Sequence, residues 1–196
     1  QLLDARQKFP HLPLGVLKSG TVTFTPGLPE SKQKAMKNLH VGPVSKVLLR
    51  FKERFWPKWL ANLGCGEGPV TLYWPVFYNR GGSVDGKDPV LTAYATGPRA
   101  AALAKMSEQE AAETAVKDLA RLFPKVDMDG MLVAARKIDW SADPFARGGY
   151  SCVLPGGTGS RPLLAAADTG ALFWAGSATQ ISPIAEIVES AFASGR

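Results

Sequence analysis

The chain has 196 residues, 45% of them hydrophobic and 20% charged, with a net charge of +6 at pH 7. That is enough chain for one good core or two smaller lobes, and its apolar runs, such as MLVAA and GALFWAG, fall well short of the about 20 residues of a membrane-spanning helix. QLLDARQKFP lacks the basic-then-apolar order of a secretory signal. Cys65 and Cys152 lie far apart and make no metal-ligand spacing with His11 and His40, so no metal is expected and an intracellular, reducing compartment is.

Residues 1–20 read as irregular, broken by Pro10, Pro13, Gly15 and Gly20. GTVTF, 20–24, reads as a short strand, and a helix starts after Pro29 and runs to about Asn38. SKVLLRF, 45–51, alternates with period two and is a strand. VTLYWPVFY, 70–78, is another, with Pro75 pointing to an edge or a bulge. NRGGSVDGKD, 79–88, is a loop before the buried-looking strand PVLTAYA, 89–95.

Ser107 followed by Glu110 makes a capping box for a helix over 107–123, whose apolar face is Ala112, Ala115, Val116 and Leu119 and which Pro124 stops. MLVAARKIDW, 131–140, and GALFWAG, 170–176, read as strands, and IAEIVESAFASG, 184–195, as the closing helix. Antiparallel-looking strands with segregated helices make the fold α+β.

Two basic clusters carry much of the charge: Lys32, Lys34 and Lys37, then Arg50, Lys52, Arg54 and Lys58 interleaved with Phe51, Phe55, Trp56 and Trp59. No nucleic-acid-binding motif accompanies them, so nucleic acid is not the expected partner. Lys46 poses a separate question, because it stands at the mouth of an apolar strand. Either it belongs to a solvated face or guards an edge, or it is a partly buried amine placed for chemistry.

Four stretches in order, 12–36 (LPLGVLKSGTVTFTPGLPESKQKAM), 44–56 (VSKVLLRFKERFW), 140–151 (WSADPFARGGYS) and 171–179 (ALFWAGSAT), resemble the C-terminal half of the flavin-containing amine oxidases, in particular polyamine oxidases and lysine-specific histone demethylases. The resemblance covers nearly all of 12–196 and implies a substrate-binding-like domain with a mixed or antiparallel sheet and helices on one side over 20–140. Residues 141–196 would be the C-terminal strand and helix of an FAD-binding domain, and 1–19 an irregular lead-in. It implies FAD as cofactor and oxidation of a polyamine or related amine to an imine and then an aldehyde, with hydrogen peroxide released.

By the same resemblance Lys46 holds a water at the reacting edge of the flavin, Tyr150 and Trp74 wall the amine pocket, and Trp140 lines the flavin. Gly176, Ser177, Ala178 and Thr179 carry the cofactor loop, with Ile184 and Ala185 at the start of the next helix. Without the resemblance, both Trp140 and Tyr150 read as aromatic side chains that pack a core. The chain departs from the family pattern at Ser177, where glutamate is usual, at PIAEIVES, where a small-residue opening is usual, and at Gly149, where serine is usual. It contains no strand followed by G-x-G-x-x-G and a helix, so the expected partner is a chain or segment that supplies the N-terminal FAD-binding half. The alternative is an amine-oxidase-like interaction subunit without catalysis.

Overall fold

A computed structural model describes residues 12–76, 89–168, 172–180 and 187–195. Pro13 and Pro29, both near φ −56°, each precede a helix, where a residue without an N–H costs no helical hydrogen bond. The helices are α1 (Leu14–Lys18) and α2 (Glu30–Asn38), and β1 (Leu39–Val41) follows directly. Then come β2 (Val44–Phe51), β3 (Leu63–Gly64), β4 (Leu72–Pro75), β5 (Val90–Thr96), α3 (Gly97–Ala104), α4 (Glu108–Leu122) and β6 (Leu132–Asp139). β7 (Ser151–Val153), α5 (Ser160–Ala165), a 3-10 turn over Ser177–Thr179 and α6 (Val188–Ser194) complete the described elements.

The chain forms two compact units, Pro43–Trp140 and the pair of segments Gln1–Gly42 with Ser141–Arg196. The sequence places the first boundary near residue 20. The structure moves it to Pro43, because α2 packs on α5 and β1 pairs with β7, and both partners come from the C-terminal segment.

In the unit Pro43–Trp140, five strands form an antiparallel sheet in the order β3-β4-β5-β2-β6. Period-two alternation sends Val47, Leu49, Tyr73, Leu91 and Ala93 to one face, where they meet Leu103 of α3 and Ala111, Ala112, Ala115 and Leu119 of α4. The alanines on α4 let its backbone approach the sheet closely, while each fully buried leucine stabilises the core by roughly 1.5–3 kcal/mol relative to exposure. Ser107 and Glu110 form the capping box read from the sequence. Tyr73 is the one tyrosine of this core; its hydroxyl donates to Ala115 O at 3.0 Å, and burial pushes its pKa up. Pro75 breaks no ladder bond: Val76 donates to Val90 O, so the nitrogen of Pro75 turns to the opposite side, where the two-residue β3 has ended.

The other unit has a smaller core of Leu14, Ala35, Leu39 and Leu164 beneath the two-stranded β1–β7 ladder. Three expectations fail here. Residues 14–18 are helical rather than irregular, 20–24 form no strand, and 172–175 show only an isolated bridge between Asp168 and Leu172. A strand needs a ladder partner, and among the described residues neither stretch has one. The side chains of Phe24 and Trp174 instead pack on each other, with centroids 6.2 Å apart. The closing helix is described from Val188, and the loop expected at 79–88 lies outside the described residues. Among the described residues, no helix is long and apolar enough to cross a membrane.

Candidate functional site

Lys46 sits on β2 with neighbours on both sides, Tyr94 of β5 and Ile138 of β6. It therefore guards no edge. Since Val47 and Leu49 face the helices, alternation puts Lys46 on the opposite face, where it is half-buried. Its Nζ lies 5.6 Å from the centroid of the Trp74 ring, a cation–π separation. Trp74, opposite Thr92 on the next strand pair, leans on Tyr94 with ring centroids 5.0 Å apart and planes tilted by 46°. The sheet thus brings together two residues expected at the site, Lys46 and Trp74, and adds Tyr94. The alternating pattern of VLTAYAT contains that signal, because Tyr94 breaks an otherwise small-residue strand at the register of Lys46. Trp140 stands one residue past β6, tied by its N–H to Val44 O at 3.1 Å, with its side chain exposed rather than packed in the core.

The other expected residues belong to the second unit. Tyr150 is held by its main chain: Gly42 donates to Tyr150 O at 2.9 Å and Gly149 to Gly42 O at 2.9 Å, leaving the phenol ring half-exposed. Gly148 makes that turn possible, with φ at 133° and Val41 Cγ1 only 2.4 Å from where a Cβ would stand.

The loop Gly176–Thr179 is fastened at both ends. Gly176 N–H donates to Ser194 Oγ at 2.8 Å, and the N–H and hydroxyl of Thr179 both donate to Gly176 O, at 3.0 and 2.8 Å. Arg161 donates to Ser177 O at 3.1 Å and to Ser151 O at 3.0 Å. Beside the loop is a cavity of about 320 Å³, with Leu12, Leu14, Phe24, Leu164 and Trp174 in its wall. Ile184 and Ala185 lie outside the described residues.

Lys32 overturns its expected place in a surface charge cluster, for it is 1% exposed while Lys34 and Lys37 face water. Its ammonium donates to Leu164 O at 2.6 Å and to Ala166 O, lies 3.8 Å from Asp168 Oδ2 and 4.9 Å from the Trp174 ring centroid. Trp174 Nε1 donates to the same Asp168 oxygen at 2.7 Å. Burial lowers the pKa of Lys32 and the Asp168 carboxylate opposes that shift. The i, i+3 spacing of Lys32 and the small apolar Ala35 on one side of α2 is the signal that could have shown it inside.

The family model for flavin containing amine oxidoreductases matches residues 12–196. Polyamine oxidase 2 of Arabidopsis thaliana is 36% identical over 171 residues, 87% of this chain and 34% of that protein. Lysine-specific histone demethylase 1 homolog 3 of the same plant is 33% identical over 175 residues, 86% of this chain and 10% of that protein. A solved structure of wild-type putrescine oxidase bound to putrescine superposes with a TM-score of 0.76 at 19% identity, over 94% of this chain and 39% of that one, and shares the fold. The chain spans about a third of the length of the polyamine oxidase it matches. It belongs to the family of flavin-containing amine oxidases.

Proposed function

We propose that this chain is the C-terminal part of an FAD-dependent oxidase of polyamines or related amines. The observation that carries the reading is Lys46, a lysine in the interior of a sheet, half-buried and set over an aromatic ring on the face turned away from the helices. A core strand has no packing use for an ammonium there, whereas a cofactor that reacts at one atom has use for a positioned donor.

The residues present fit FAD. Gly176 has φ at 139°, a conformation that favours glycine, and nothing lies within 4 Å of where its Cβ would be, so a ligand can approach the main chain. The loop it begins lines the cavity. When bound, FAD supplies the two-electron acceptor for the hydride that leaves the carbon beside the amine nitrogen, and oxygen reoxidises it with release of hydrogen peroxide.

In this reading Gly176, Ser177, Ala178 and Thr179 hold the cofactor, and Trp140 lines it. Lys46 donates to a water and so holds a proton at the reacting end. Tyr150 and Trp74 present aromatic faces to the amine, which attract its cationic form and exclude water from the neutral, oxidisable one. Water then hydrolyses the imine to an aldehyde and an amine. The partner is a polypeptide portion carrying the N-terminal FAD-binding half, a reading supported by large apolar side chains exposed at Phe173, Val188 and Phe192.

Ser177, in place of the family's usual glutamate, favours a second reading: an interaction subunit without catalysis. A visible spectrum of the protein with its native companions decides between them. Flavin bands that bleach on anaerobic addition of spermidine support the oxidase; a stable complex without flavin supports the subunit. In the flavin-bound complex, Lys46→Met slows amine oxidation or reoxidation by about tenfold or more, in the range of a lost proton-handling group. An unchanged rate removes Lys46 from the mechanism.

A further inference from the structure

Arg161 reaches two of the segments discussed above with one side chain. Its Nη2 donates to Ser151 O, the residue after Tyr150, and its Nη1 donates to Ser177 O in the loop Gly176–Thr179. We propose that Arg161 is a positioning residue that sets the strand carrying Tyr150 against the cofactor loop, so that amine binding and cofactor binding are coupled through its guanidinium. The proposal rests on the amine oxidase reading for what the two segments bind.

The geometry of the ladder explains why Ser151 O needs a donor. Tyr150 O accepts from Gly42 and Leu154 N–H donates to Asn38 O, so these residues point their main-chain groups at β1. Ser151 lies between them, out of phase by one residue, and its carbonyl faces the edge of β7 turned away from β1, which is its one strand neighbour among the described residues. Arg161 closes that edge.

A fork is required for the second contact. The guanidinium is planar and holds its two terminal nitrogens at a fixed separation, so seating one on Ser151 O determines where the other falls, and it falls on Ser177 O. A lysine ammonium presents one donor centre in place of two held apart by a rigid plane, so it does not hold the two oxygens at the fixed separation that the fork imposes.

The base of the side chain is rigid for its own reason. Arg161 is the second residue of α5, whose Ser160 and Leu164 are buried, and the end of that helix is where the buried Lys32 binds the carbonyls of Leu164 and Ala166. Both Arg161 contacts are to main-chain oxygens, so the serine that replaces glutamate at 177 leaves the link intact.

The test uses the 196-residue chain for hydrogen exchange and its FAD-bound complex for ligand affinities, comparing wild type, Arg161→Met and Arg161→Lys. In Arg161→Met, exchange speeds by about tenfold or more at both 151–154 and 177–180, the scale expected for losing charged hydrogen bonds, while the sheet strand 44–51 keeps its protection. The Kd for FAD and the KM for spermidine rise together by about fivefold or more, and kcat changes by less than about twofold, since binding and not chemistry is altered. Arg161→Lys restores protection to one segment only.

A response confined to one segment in Arg161→Met, or full rescue by lysine, overturns the fork. If Arg161→Met also loses protection at 44–51, Arg161→Lys alone decides: one segment released supports the fork and none overturns it. A wild-type complex that never takes up FAD sinks the oxidase reading and the coupling with it, and the exchange data then show separately whether the fork stands.

Discussion

Among the described residues, the two units differ most in the size of their apolar cores. In Pro43–Trp140, seventeen buried apolar residues, from Val47 to Met128, meet between one sheet and two helices. Among the described residues of the other unit the buried apolar cluster has four members, Leu14, Ala35, Leu39 and Leu164, under a ladder three residues long. Charged side chains bound to main-chain carbonyls occur in both units: Lys18 on Met36 and Leu39, Lys32 on Leu164 and Ala166 and Arg161 on Ser151 and Ser177 in this one, Arg99 on Cys65, Gly66 and Val70 and Lys137 on Ala104 and Met106 in the sheet unit. Such bonds satisfy backbone oxygens that lack secondary-structure partners, and in the smaller unit one of the cations, Lys32, is itself buried. The lesson is that Arg161 adds a side-chain link between the strand after Tyr150 and the 176–179 loop over a small core, while Lys46 and Trp74 are placed by sheet register.

The sharpest way to break this comparison is Lys32→Met. Removing the cation leaves Asp168 buried without its ion pair and two carbonyls without their donor, a loss of about 3–5 kcal/mol. Hydrogen exchange should report it in α2 and α5, with β2 and β5 less affected. Equal loss in all four elements would show that the units do not differ in the way described.

Leu119→Ala acts in the opposite sense. It opens a cavity in the core between α4 and the sheet at a cost of about 2–5 kcal/mol, read from urea unfolding followed by exchange in β2 and β5. A cost under about 1 kcal/mol would mean that the sheet unit does not depend on its apolar core.

Tyr73→Phe has the smallest effect and sharpens the comparison by pH. Below pH 10 it costs about 0.5–1.5 kcal/mol for the lost bond to Ala115 O. In the wild type, the folded-state pKa of Tyr73 is raised above the ordinary 10.0, so the unfolded chain releases its proton first and stability falls as pH rises past 10. The Phe variant should lose less stability over that range. Parallel slopes for the two proteins would assign the alkaline loss to other groups.

Local patterns were legible wherever one segment's own periodicity decided the outcome. The alternation of 45–51 and the capping box at Ser107 each match the element found. The strands expected at 20–24 and 170–176 were read from short local stretches of sequence, without a ladder partner in view. Phe24 of the one packs on Trp174 of the other instead. Lys32 and Arg161 were missed because their importance comes from carbonyls far along the chain, Leu164 in one case and Ser177 in the other, which no local pattern discloses.

By itself, then, the sequence determined the antiparallel α+β character, the sheet-forming segments and the family, because periodicity and ordered motifs are properties of residues near one another in the chain. Only the tertiary structure decided that Lys46 belongs to an interior strand, that Lys32 is inside and that Arg161 joins Ser151 to Ser177. Burial and main-chain hydrogen bonding are settled by which distant segments meet, and the cost of an unpaired buried charge or carbonyl then selects the one arrangement that satisfies them all.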